Sequence, residues 1–280
     1  MNFLHIIDQL SAVDSDALDR LDTRRSVFSS LTTVAKRTAL ASAPALIASY
    51  FSKAYAGTSA GDAKDVFAYA LTLELLEEDF YKKMIASPYF SGAPTAAQGA
   101  INQIKKHETS HVALLQKVLD AIGGTKPTNI TFKSATFATL TSFSAQLTIA
   151  QLLEDTGVRA YKGRAGDLLG LADVTVPNVG TINPLQSALQ IHSVEARHAA
   201  HIRTMRMQSS WINGNGDLDG MDHYKGAIPE STTTQSGVNL IAANSITPNT
   251  TYTAKDAQAS FDEILTATEV LALATPLIGA

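Results

Sequence analysis

His107-Glu108-Thr109-Ser110-His111 lies inside the run Ile101-Asn-Gln-Ile-Lys-Lys-His-Glu-Thr-Ser-His-Val-Ala-Leu-Leu115, and its reading decides the fold. Glu108 and His111 are three residues apart, a spacing that stacks two side chains on one helix face. That face is the apolar one: Ile101, Ile104, Glu108, His111, Leu115, Val118 and Ile122 recur at steps of three and four. A carboxylate and an imidazole inside a core stripe are unfavourable unless something compensates them, and a metal ion does so. A second stripe repeats the pattern: Leu185, Ala188, His192, Glu195, His198, Ile202 and Met205. Two Glu-x-x-His pairs on separate helices call for one explanation.

Composition narrows what that explanation can be. The 280 residues suffice for one or two domains with a sizeable core. A hydrophobic content of 45% with 17% charged residues describes a folded protein. A net charge of -4 without a basic, aromatic-interleaved patch argues against a nucleic-acid partner. With no cysteine, disulfides, iron–sulfur clusters and thiolate zinc sites are excluded. A metal must therefore be held by carboxylate and imidazole, which suits iron, manganese or zinc. No apolar run reaches the roughly 18 residues of a membrane span.

Residues 1–56 differ from the rest. Phe3, Leu4, Ile6, Ile7 and Leu10 suit a short amphipathic helix; Thr23-Arg24-Arg25-Ser26-Val27-Phe28 then leads to a small-residue apolar stretch, Ala39 to Phe51. The segment closes on Ala54-Tyr55-Ala56. It reads as a twin-arginine export signal, which would place the protein in the periplasm or otherwise outside the cytoplasm, or as an amphipathic arm on a cytoplasmic protein.

Residues 57–208 read as four long helices. The first is expected over Asp62 to Ala86, the second from Pro94 to Gly123-Gly124, and the third from Thr136 to Leu169. The fourth is expected from the Asn183-Pro184 cap to about Gln208. An internal repeat marks the polar positions: Glu74 with Tyr81 seven residues on, and Glu154 with Tyr161 seven residues on, alternate with the two Glu-x-x-His pairs. Seven residues are close to two turns, so each tyrosine is expected on its glutamate's face. Glu77 and Glu78 compete with Glu74; the match to the third helix favours Glu74. The Gly/Asn/Thr-rich stretch 209–258 reads as an excursion, with Asn215 to Gly220 a polar turn, Gly226 standing where a calcium loop needs Glu. Residues 259–280 read as a last helix packed on the bundle.

One Glu from each of two helices plus Glu-x-x-His from each of the other two is the ligand pattern of carboxylate-bridged two-metal bundles. The chain resembles the ferritin-like superfamily, with a centre of the rubrerythrin and bacterioferritin type. Leu73-Glu-Leu-Leu-Glu-Glu-Asp-Phe-Tyr81 and Val194-Glu-Ala-Arg-His-Ala-Ala-His201 are more closely similar to the ferritin-like family that includes desiccation-related proteins. The resemblance implies an all-α antiparallel four-helix bundle with an N-terminal arm, a long insertion after the fourth helix and a short C-terminal helix. It implies Glu74, Glu108, His111, Glu154, Glu195 and His198 as metal ligands. Four carboxylates neutralise two divalent ions, so such a site can be buried. His192 reads as an outer partner or alternative ligand, His107 and His201 as flanking groups, and Trp211 as packing. Tyr81 and Tyr161 read as ligand partners or electron donors, or as ordinary core tyrosines.

The implied function is a di-iron oxidoreductase, oxidising Fe(II) or reducing oxygen or hydrogen peroxide in stress protection. Electrons would come from Fe(II) or a separate donor protein, and a homo-oligomer is compatible. The alternatives are a manganese catalase-type enzyme and a protective protein with structural metals. An open path to the metals would favour an enzyme, a closed site a scaffold.

Overall fold

The computed structural model describes residues 63–214, 218, 220–242 and 251–279. The twin-arginine segment and most of the calcium-loop-like turn lie outside the described residues. The described residues fall in two compact units, one holding 63–232 with 258–279 and the other 233–257. The boundaries between the units fall at 232/233 and 257/258.

Among the described residues there are eight helices, four of them long. These four are α1 (Ala63–Ala86), α3 (Thr95–Ile122), α5 (Phe143–Arg164) and α6 (Pro184–Met205). The architecture is an all-α four-helix bundle. α1 packs mainly on α3, and α5 on α6. Pro88–Ser91 forms the short α2 between α1 and α3. The ends of the long helices follow local chemistry. Gly123 takes a left-handed φ of 63°, and Gly124 N–H returns to the Leu119 carbonyl at 2.8 Å, closing α3. Asn183 accepts from Gln186 N–H at 3.0 Å ahead of Pro184, opening α6.

The third expected helix is broken. Ser134–Ala138 forms the short α4, and α5 begins only at Phe143. Ser142 is extended (φ -158°) and its hydroxyl accepts from Ala145 N–H at 3.0 Å. In Thr139-Leu-Thr-Ser142, hydroxyl side chains compete for backbone groups and favour a cap over a continuous helix. The other end passes into a 3-10 turn, Ala165–Leu168.

The connection between α3 and α5 runs along the bundle. A Cβ on Gly124 would lie 3.5 Å from Lys64 at the start of α1, whereas the Phe132 ring lies 5.0 Å from that of Phe80 near its end. α5 therefore enters from the end of α1 and runs antiparallel to it. The connection carries β1 (Thr131–Phe132), and Asp79 accepts Phe132 N–H at 2.8 Å. Strands β2 (Val174–Val176) and β3 (Gly180–Ile182) form a hairpin before α6. In the other unit, β4 (Thr234–Gln235) and β5 (Val238–Asn239) pair antiparallel, and α7 (Ala254–Ala259) starts there.

The C-terminal segment is less helical than its apolar pattern suggests. Helix α8 spans only Ala267–Ala274, because Pro276 supplies no N–H and the chain turns through a 3-10 step. Ile278–Gly279 then forms β6, antiparallel to β1. Residues before α8 are held by Arg159, which is fully buried. Its guanidinium donates to the carbonyls of Glu263 (3.0 Å), Lys225 (2.9 Å), Ile228 (3.0 Å), Ile264 (3.2 Å) and His223, and it pairs with Glu230 at 2.8 Å. One side chain of α5 thereby fastens two irregular segments to the bundle.

Two apolar clusters fill the bundle. One contains Phe80, Met84, Ile101, Ile104, Leu147 and Ile202; the other contains Phe67, Leu71, Leu115, Leu119, Ala188 and Ile191. On α3 and α6 the polar groups fall between them, Glu108 and His111 after Ile104, and Glu195 and His198 after Ile191. The carboxylates sit at mid-height, screened from water at both ends.

Candidate metal centre

Each long helix contributes its polar residues where its apolar stripe is interrupted. Glu74, Glu108, Glu154 and Glu195 are fully buried, and His111 and His198 nearly so. His111 Nδ1 lies 3.1 Å from Glu74, 3.2 Å from Glu108 and 3.3 Å from Glu195 carboxylate oxygens. His198 Nδ1 lies 2.9 Å from Glu108 and 3.1 Å from Glu154. Two overlapping groups result: Glu74, Glu108, His111 and Glu195, and Glu108, Glu154, Glu195 and His198, each with donor atoms within 4.8 Å of one another. Glu108 and Glu195 belong to both groups; Glu74 and Glu154 each belong to one.

The donor set fits divalent metal. Neither oxygen of the buried Glu195 has a hydrogen-bond partner, and Glu108 Oε1 also lacks one by angle. Such buried orphan oxygens are unfavourable in a core and are satisfied by a cation. Burial drives Glu195 well above the ordinary carboxylate range, reinforced by the Glu108 and Glu74 charges. Burial and the Glu108 charge lift Glu74 to about 8. Burial pushes Glu108 the same way, but the imidazoles of His111 and His198 beside it outweigh burial and hold that carboxyl at about 2. Burial works against protonation of the imidazoles, yet the carboxylates outweigh it: His111 is raised strongly, and His198 to about 10. Without metal, protons hold this cluster together.

The tyrosines pair across the bundle rather than along their own helices. Tyr81 O–H donates to Glu154 Oε1, and Tyr161 O–H to Glu74 Oε1. Seven residues span roughly 10 Å of helix axis, too far for a tyrosine to reach its own glutamate. Because α1 and α5 run antiparallel, the same offset brings each tyrosine level with the opposite glutamate. The repeat is thus an approximate two-fold arrangement relating position 74 to 154, 77 to 157 and 81 to 161.

Glu77 is the residue that spacing alone passes over in favour of Glu74. It is 3% exposed, and burial raises it well above the carboxylate range, with Glu195, Glu74 and Glu154 adding to the shift. Its counterpart is Gly157, where a Cβ would lie 3.4 Å from both Glu77 Oε1 and Glu195 Oε2. A glutamate on one helix matched by a glycine on its repeat is the sequence signal for this fifth carboxylate. Glu78 stands apart, accepting from Thr109 Oγ1 at 2.9 Å and pairing with Lys82 at 2.8 Å.

The remaining histidines separate cleanly. His107 Nδ1 lies 2.9 Å from His198 Nε2, with the rings stacked 9° from parallel. That contact holds the His198 ring with its Nδ1 facing the carboxylates. His192 Nδ1 meets the Val158 carbonyl at 3.0 Å, so the structure does not bring that nitrogen to the cluster. His201 is exposed. Trp211 is 51% exposed rather than packed away, its carbonyl accepting from Arg203 at 3.3 Å.

Among the described residues, no helix is long and apolar enough to cross a membrane. No curated protein and no solved structure matches the chain. The ferritin-like domain family model matches residues 62–208, more than half of the 280 residues. That span contains all four long helices and every residue of the cluster, and the chain belongs to the ferritin-like domain family.

Proposed function

We propose that the bundle is a di-iron oxidoreductase that oxidises Fe(II) or reduces dioxygen or hydrogen peroxide in protection against stress. The observation that carries this reading is the pair of overlapping donor groups sharing Glu108 and Glu195. Two redox-active ions bound there supply a two-electron couple, which reduction of peroxide to water requires. The chain's own residues do the rest. Glu74 and Glu154 are oriented by Tyr161 and Tyr81, and His107 fixes the His198 ring. The apolar clusters keep bulk water from the carboxylates. Fe(II) itself, or a separate donor protein, supplies the electrons. The Arg24-Arg25 motif and Ala54-Tyr55-Ala56 support export of the folded, metal-loaded protein, tested by locating an Arg24→Lys/Arg25→Lys variant.

The deciding experiment is metal analysis of protein purified without added metal, then anaerobic Fe(II) loading and exposure to dioxygen or peroxide. Two irons per chain with rapid oxidation, abolished in Glu108→Ala, is the expected result. Two manganese ions with dioxygen release from peroxide would assign a catalase. Bound metal inert to both oxidants would assign a structural role, and no metal after reconstitution would refute the reading.

A further inference from the structure

A cavity of about 20 Å³ lies on one flank of the centre, lined at its inner end by Glu77 and Gly157 and at its outer end by Leu273, Ala274, Leu277 and His223. That volume admits one small molecule, a water or a pair of heavy atoms. Leu273, Leu277 and His223 are half-buried, so they form the rim where the cavity meets the surface. Gly157 is what joins the cavity to the cluster: its missing side chain leaves the space beside Glu195 Oε2 and Glu77 Oε1. Both Glu195 oxygens are buried and without a hydrogen-bond partner immediately beyond it.

We propose that this cavity is the port through which an uncharged oxidant of two heavy atoms reaches the centre, with Glu77 as the polar group at its inner end. This rests on the di-iron reading. The walls are mostly leucine and alanine, which penalise a charged species and pass a neutral one. Burial holds His223 down to about 4, so the rim also carries no charge at neutral pH. Dioxygen and hydrogen peroxide share the required size and neutrality. A second small apolar cavity, lined by Val66, Ala70, Leu115 and Ala188, reaches Tyr161 and serves as the internal control.

The test uses protein loaded anaerobically with Fe(II) and mixed with nitric oxide, a neutral diatomic whose binding is read optically without turnover. Ala274→Leu fills the cavity from α8, and Leu277→Trp blocks its rim. Both are expected to keep two irons per chain and to slow nitric oxide association at least tenfold; Leu277→Ala is expected to accelerate it. Ala188→Leu, in the other cavity, is expected to leave the rate within twofold. Iron oxidation by dioxygen and by peroxide is then compared in the same variants; slowing with one alone assigns the port to that oxidant. Iron-loaded Ala274→Leu or Leu277→Trp with an unchanged association rate would overturn the port while leaving the di-iron reading intact. Wild-type protein that takes up no paired iron would overturn that reading itself.

Discussion

Glu195→Gln separates a metal-binding carboxylate from an ordinary buried one, because the two roles predict opposite effects. Both Glu195 oxygens lack hydrogen-bond partners, and burial pushes the side chain towards its neutral form in the metal-free protein. An isosteric amide then changes little, and the metal-free variant should match the wild type to within about 1 kcal/mol. The loaded protein behaves differently. Metal at a hundred times its dissociation constant stabilises by about 2.7 kcal/mol, a rise of roughly 5–11 °C for a unit of this size. Glu195 belongs to both donor groups, so its loss should weaken binding on the order of 100-fold. At the same metal concentration about 0.4 kcal/mol then remains, a rise of roughly 1–2 °C. Calorimetric melting of both proteins, metal-free and with anaerobic Fe(II), gives all four numbers. A metal-free variant destabilised by about 3 kcal/mol, or an undiminished metal-induced rise, would refute the reasoning.

Tyr81→Phe and Tyr161→Phe each remove one hydrogen bond to a terminal carboxylate, and titration calorimetry should show similar losses of metal affinity, on the order of tenfold. Markedly unequal losses would contradict the two-fold arrangement. At pH 7 the metal-free cluster holds protons on Glu74 (about 8), His198 (about 10) and His111, so loading must release them and affinity must rise with pH towards 8. Calorimetry in buffers of different ionisation enthalpy should register about three protons from Glu74, His198 and His111 and a further contribution from Glu195, whose carboxyl burial also raises; no release would contradict the protonated cluster. Arg159→Met leaves Glu230 buried without its partner and several carbonyls unsatisfied, an expected loss of about 3–5 kcal/mol in urea unfolding. An unchanged midpoint would show that Arg159 does not fasten the 222–230 and 263–264 segments.

The sequence by itself determined the helical architecture and brought six polar residues into consideration, because both are written in local periodicity. Glu108 with His111, and Glu195 with His198, share faces by their spacing alone, and the apolar residues around them commit those faces to the interior. Caps at Asn183 and Gly123 fixed two ends for the same reason. Whatever depends on two elements meeting was decided by the tertiary structure. The tyrosines cross to opposite glutamates because α1 and α5 are antiparallel, a relation set by the path of residues 123–142. Glu77 joins the cluster because Gly157 faces it. The break at 139–142 and the end of α8 at Pro276 are local, but the pairing of β6 with β1 is not. A helix specifies the spacing of its own side chains; packing between helices specifies which of those side chains meet.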